Sequence, residues 1–287
     1  MNSKSLGWLA SALLLCSAST PLLAAENTSN TPTLLNRTGA PYQLKLNAEL
    51  GYFGVAGHTI QFGKAGTPLD YVLEGGQDNL YTFLRASGDL SLGRHTVSLL
   101  FQPLNLETRE VLKEDKTFYN TFFPAGTVVN FKYGFPFYRI SYLYDLWETP
   151  QDELSFGLSL QLRNATIEFA SADGELLSSN RNIGPVPIIK TRLRKSLGHG
   201  VWAGFEADGF YAPVKYLNGD TNADVVGSIL DASGRIGIEL TPGAEAFLNL
   251  RYIGGGAEGT DPDETNGDGF TANWVHFVAL SLGLSLF

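Results

Sequence analysis

The segment Tyr42 to Tyr52, YQLKLNAELGY, decides the fold. Tyr42, Leu44, Leu46, Ala48, Leu50 and Tyr52 share one face, and Gln43, Lys45, Asn47 and Glu49 share the other. A β-strand sends successive side chains to opposite faces, so this is a strand with one oily and one wet surface. In a soluble sandwich the oily face lines a core. In a membrane barrel it meets lipid, and the wet face lines the lumen.

The same period of two recurs outward from this segment and marks ten strands, roughly 42–62, 78–92, 95–112, 127–147, 153–172, 186–197, 201–212, 222–240, 244–255 and 271–287. Many exceed the ~5–6 residues of an ordinary strand and reach the ~9–11 needed to cross a bilayer at a tilt. The links alternate. Gly93-Arg94, Glu148 to Asp152, Gly198-His199-Gly200 and Thr241-Pro242-Gly243 are short, whereas 63–77, 113–126, 173–185, 213–221 and 256–270 are longer or more polar. Short periplasmic turns and longer outside loops are the habit of outer-membrane barrels, and an even strand count puts both termini in the periplasm. The sequence therefore predicts an all-β protein, a closed antiparallel transmembrane β-barrel of about ten strands, with eight or twelve as alternatives. In strand five the apolar positions pass from Leu154–Leu162 on even numbers to Ala165, Ile167 and Phe169 on odd ones, which predicts a β-bulge near Arg163-Asn164.

The chain starts as a secretory signal, with Lys4, an apolar core Leu6 to Leu15, and small residues up to Ala24-Ala25. Residues 1–25 are expected to be removed, 26–40 to form a flexible periplasmic lead-in, and 41–287 to form the barrel. Leu13-Leu14-Leu15 before Cys16 lacks the small residue a lipoprotein signal needs. Cleavage after Ala25 leaves no cysteine, which excludes disulfides and thiol catalysis. The chain carries 20 basic and 29 acidic residues, so a basic nucleic-acid footprint is absent. The expected partners are outer-membrane lipid, periplasmic chaperones and the barrel-assembly machinery.

Charges of both signs fall on the inward faces: Arg85 and Asp89, then Arg139, Ser141 and Asp145, then Gln161 and Arg163, Lys190, Arg192 and Arg194, Glu206 and Asp208, Asp231, Arg235 and Glu239, and Asn249 and Arg251. Buried charges must be paired, which predicts a cross-linked interior and not a wide pore. A turn at Gly198-His199-Gly200 opposes Leu197 to Val201, and a strand's period of two then sets Arg192 against Glu206 and Lys190 against Asp208.

Candidate chemistry sits near the outer rim. His58 and His276 lie near the outer ends of strands one and ten, which closure makes neighbours; together they would form a metal site or a general base. The competing expectation is that His276 joins Trp274 in an interfacial aromatic girdle. Glu74 and Asp78 in the first loop, with Asp261 and Asp263 in the fifth, are candidates for a rim hydrolase. Asp261, Asp263, Glu264 and Asp268 could ligate calcium, although EF-hand spacing is absent; no other cofactor is suggested. No G-x-S-x-G elbow, H-E-x-x-H motif or P-loop occurs.

The stretches Glu74 to Asp78 (EGGQD), Arg163 to Leu176 (RNATIEFASADGEL), Glu206 to Pro213 (EADGFYAP) and Asn249 to Thr260 (NLRYIGGGAEGT) resemble a family of predicted Gram-negative outer-membrane β-barrel proteins. The resemblance implies export and an outer-membrane location, and it carries no activity and no catalytic residues. The expected function is a structural, binding or narrow-channel barrel with a charge-lined interior. The alternatives are an outer-membrane hydrolase acting at the outer rim and a soluble periplasmic β-sandwich that binds a ligand.

Overall fold

The computed structural model describes residues 33–37, 39–147, 149, 151–213, 224–261 and 267–287. Among them every regular element is a strand: β1 (Gln43–Phe62), β2 (Leu69–Asp70), β3 (Leu80–Leu92), β4 (His95–Gln102), β5 (Asn105–Val111), β6 (Lys116–Phe118), β7 (Thr121–Phe123), β8 (Val128–Gly134), β9 (Phe137–Asp145), β10 (Glu153–Ser171), β11 (Leu177–Gly198), β12 (Val201–Pro213), β13 (Asp224–Thr241), β14 (Ala244–Thr260) and β15 (Phe270–Leu286). Ten of them, β1, β3, β4 and β9 to β15, close an antiparallel barrel. β1 pairs with β15, and β10 pairs with β11. Closure removes the soluble sandwich from consideration. The signal residues, most of the lead-in, Asp263 and Glu264 lie outside the described residues. The described end of the lead-in is tied to the short-turn rim: Asn36 clamps both the N–H and the C=O of Leu44, and Leu35 N–H donates to the carbonyl of Phe287.

On the lower wall, near the short turns, the even positions of β1 point out, as the Tyr42–Tyr52 pattern requires. Leu46, Leu50 and Tyr52 are exposed, as are Leu158, Leu160 and Leu162 on β10 and Leu280, Leu282 and Leu284 on β15. This apolar band girdles the barrel. Inside it the facing positions are buried and polar.

Four local expectations are corrected. The third and fourth expected strands each break, at Pro103-Leu104 and at Phe135-Pro136, where proline offers no N–H to a ladder. The register runs through unshifted, from Gln102↔Phe137 to Asn105↔Gly134. The expected bulge near Arg163-Asn164 does not exist, because β10 pairs with β11 in one register from Glu153↔Arg194 to Ala170↔Leu177. The described odd residues of β10 face inward on both sides of this point. What changes is the interior, from polar Gln161 to apolar Ala165, Ile167 and Phe169, while Leu162 gives way outside to Asn164, Thr166 and Glu168. The strand leaves the apolar band there and continues as a water-facing wall with a hydrophobic inside. For the same reason the third outer link is Ala172–Leu176 and not the long loop expected over 173–185. Finally, the β11–β12 turn consists of His199 and Gly200, both at positive φ, and the extra residue is a bulge between Ser196 and Gly198.

The upper half is closed over by its own chain. β8 and β5 extend the wall beyond β9 and β4, β2 pairs with the top of β1, and the β6–β7 hairpin lies in the mouth. Phe62 stacks on Tyr119 at 4.5 Å, Phe118 stacks on Phe169 at 4.0 Å, and Tyr71 packs edge-on to Phe131 and Tyr133. Aromatic side chains bury large apolar areas and prefer such offset and edge-on contacts.

Candidate functional site

Two storeys fill the barrel. The lower is a charged stem. Lys190 and Asp208 are opposite each other across β11 and β12 and bond at 2.9 Å; Arg192 is opposite Glu206, with Nε to Oε2 at 3.6 Å. The expected register holds, because the bulge adds on one strand the residue the turn loses. Asp208 also takes Arg139 at 2.9 Å. Asp231 takes Arg85 at 3.2 Å and Arg139 at 3.3 Å, and it bonds Arg251. Glu206 is ringed by Lys190, Arg85, Arg192 and Arg235. Arg192 also reaches Asp89 at 3.1 Å. A lower layer joins Lys45 and Arg194 to Glu245, with the Arg194 guanidinium 4.1 Å over the Trp202 ring.

Nearly all of the inward charges read from the sequence converge here. Asp145 instead serves the turn, accepting the backbone N–H groups of Trp147 and Leu154, and Glu239 is exposed at the lower rim. The Arg163 side chain lies outside the described residues. Glu49, Glu153, Glu245 and Lys45 belong to the network and were not singled out from the sequence. Glu49 accepts from Asn249 and Ser281 and lies 3.4 Å from Arg235. The signal for it was present: Glu49 stands on the wet face of the segment that decided the fold. The free space in the stem is about 80 Å³.

The upper storey is apolar and holds a larger cavity, about 220 Å³. Its floor is Gln161, which accepts two N–H bonds from Arg139 and so joins the storeys. Its walls include Phe137, Ile167, Val186, Ile229, Ile253 and Val275, with Asn180, Ser228, Thr271 and Asn273 among the polar interruptions.

The rim candidates do not converge. A bulge at Ala56 on β1, between the pairs Val55↔Phe277 and Gly57↔His276, turns His58 inward. There it is buried, stacks on Tyr71 at 4.2 Å, and engages the side-chain amides of Gln77 at 2.8 Å and Asn273 at 3.2 Å. His276 faces out and contacts the Tyr252 hydroxyl at 2.6 Å. The expected histidine pair is thus split across the wall, His58 inside and His276 outside beside Tyr252. Glu74 is held by Lys116 at 2.9 Å, and Asp78 is exposed. Asp268 accepts the N–H groups of Lys64 and Phe270, one on each carboxylate oxygen, which depresses its pKa. No cluster of metal-ligating side chains is present among the described residues. Asp261 lines the cavity rim.

No family model and no curated protein matches the chain. Solved structures similar to it are outer-membrane proteins. The outer membrane protease OmpT from Escherichia coli aligns with 10% identity, covering 90% of this chain and 99% of that one, at a TM-score of 0.45. A Pseudomonas aeruginosa FadL homologue gives 9% identity, 85% and 89% coverage and a TM-score of 0.36. The Ail attachment invasion locus protein of Yersinia pestis gives 10%, 85%, 99% and 0.31. The likeness stops at the barrel architecture described above.

Proposed function

We propose that this chain is an outer-membrane β-barrel whose charged stem blocks conduction and whose outer half binds a small apolar ligand. The observation that carries the reading is the reversal of the interior, from a packed salt-bridge network below to an aromatic-lined cavity of about 220 Å³ above. Engineered apolar cavities of ~150 Å³ stay dry and take up benzene, so the volume suits a single ring or a short hydrocarbon segment. The apolar band of exposed leucines and tyrosines supports a bilayer setting with both termini in the periplasm. Folding there would use periplasmic chaperones and the barrel-assembly machinery. The hydrolase alternative is less favoured: among its described candidates His58 is buried inside, His276 faces out, Glu74 is held by Lys116 and Asp78 is exposed, and Asp263 lies outside the described residues.

The test is benzene titration of methyl-labelled protein in lipid nanodiscs. Shifts confined to the cavity methyls are expected, those of Ile167, Val186, Ile229, Ile253 and Val275 among them. Unmoved methyls at millimolar benzene, or shifts spread over the outer wall alone, overturn the ligand reading.

A further inference from the structure

Pairing between β11 and β12 begins at the lower turn and stops at Ile189↔Gly209. Both strands continue upward. β11 stays paired with β10 as far as Leu177, and β12 stays paired with β13 as far as Pro213. The wall is therefore parted above Ile189 and Gly209 among the described residues.

The sequence supplies the cause. Ser196 donates its backbone N–H to Asp152 at the foot of β10, so even residues of β11 bond toward β10 and odd ones toward β12. The register with β10 shows no shift up to Leu177, so the rule holds along the strand. Pro185 and Pro187 thus stand where an N–H would have crossed to β12. On β12, Gly200 accepts from Glu239, so even residues bond toward β13 and odd ones toward β11. Pro213 is odd. Extending the register places Pro187 opposite Tyr211 and Pro185 opposite Pro213. Proline removes a ladder donor and is confined to edges in sheets. Three donors are missing from one seam. A second parting, between β3 and β5, is filled by the Asp70–Gln77 turn, where Thr108 Oγ1 donates to the Gly75 carbonyl. No described segment fills the β11–β12 parting in this way.

The parting opens onto the cavity, whose lining includes Gly184, Pro185, Val186 and Phe210 from its two edges. Outside, it sits at the top of the apolar band. Pro185 and Pro187 are paired with the exposed Leu162 and Leu160, and Ile183 and Ile189 are each 69% exposed. Resting on the ligand reading above, we infer that this seam is a lateral doorway, and that the occupant of the cavity is the hydrocarbon chain of an outer-leaflet amphiphile that enters sideways from the bilayer.

The experiment uses the full barrel in dimyristoylphosphatidylcholine nanodiscs, with cross-relaxation read from lipid acyl protons to the Ile253 and Val275 methyls on the far wall. Two variants act on the seam by different means: Pro185→Val with Pro187→Val restores two donors, and Gly184→Leu sets a bulky side chain at the cavity edge just inside the seam, where an added Cβ meets no atom within 4 Å. Heat-modifiable gel mobility confirms that each folds. Lipid cross-peaks are expected in the natural protein and should fall at least threefold in both variants. Their absence in the natural protein, or full retention in both variants, overturns the doorway. If benzene still shifts the same methyls while lipid cross-peaks are absent, the cavity stands and only the lateral route fails. If benzene shifts nothing, the ligand reading fails with it.

Discussion

Lys190 and Asp208 are register partners across β11 and β12, and their charged ends meet at 2.9 Å with both side chains almost wholly buried. Taking one partner from a buried pair leaves an uncompensated charge, at a cost of about 3–5 kcal/mol. Asp208→Asn should therefore lower the unfolding temperature in detergent, and Lys190→Met added to it should recover part of the loss. Glu206→Gln should be the more damaging change, because it takes one of their carboxylate partners from Lys190, Arg85, Arg192 and Arg235 at once. Simple additivity of Asp208→Asn and Lys190→Met in a thermal-melt cycle would show that the two are not coupled.

Conduction is the second expectation. The stem leaves only about 80 Å³ free, and both signs of charge converge on it. Single-channel recordings in planar bilayers should show no stable porin-like steps. Reproducible steps would mean that the network opens in a membrane.

How much of this was legible beforehand follows from what each residue must obey. Strand alternation is local, so the YQLKLNAELGY face, the ten strands and the Lys190–Asp208 register could be read from spacing alone. The reversal of the interior could not. Ala165, Ile167 and Phe169 on odd positions look like a phase slip only if the lumen is assumed polar to the top; the strand keeps its phase and the surroundings change. His58 was misplaced because one extra residue at Ala56 flips every later side chain, and nothing local in Gly54-Val55-Ala56-Gly57 fixes where a bulge falls. The prolines of β11 were visible, but their consequence depends on which neighbour each N–H would face.

Close packing supplies a third expectation. A Cβ on Gly237 would lie 2.4 Å from Cζ2 of Trp202, the ring that carries Arg194. Gly237→Val should cost about 1–3 kcal/mol from overpacking, and Trp202→Leu on the same chain should restore most of it. Melting temperatures of the single and double variants decide this, and an unaffected single variant would show that the ring has room to move.

Tyr71 is fully buried, and its hydroxyl has no hydrogen-bond partner among the described residues. Burial raises its pKa well above the usual tyrosine value, so the group stays a neutral phenol. An unpaired buried polar group costs about 1–3 kcal/mol, so Tyr71→Phe should leave stability unchanged or raise it. Tyr71→Ala removes the ring against His58 and should cost about 3–5 kcal/mol. A clear loss in the Phe variant would reveal a partner for the hydroxyl.

The outer loops should come apart in acid and hold in mild base. Asp268, exposed in the fifth loop, accepts the N–H groups of Lys64 at 2.9 Å and Phe270 at 3.0 Å, and these bonds hold its pKa below the ordinary carboxylate value. A carboxylate with a depressed folded pKa contributes a tie that is complete above its unfolded pKa and is lost as pH falls through the folded one. Lys116 behaves oppositely: burial lowers its pKa, but Glu114 and Glu74 outweigh that and the net shift is upward, so its tie is complete below ~10.5 and is lost only above that. Between these limits the first loop should stay joined to the fifth through Asp268 and to the second through Lys116 and Glu74. Carboxyl-carbon NMR of aspartate-labelled protein should show Asp268 titrating below ~3.9, with the Lys64 and Phe270 amide shifts following the same midpoint. Asp268→Asn should speed amide exchange at those two residues at neutral pH and leave Tyr71 and His58 unmoved. A midpoint at or above the ordinary aspartate value, or amides indifferent to the substitution, would mean that Asp268 does not fasten the loops.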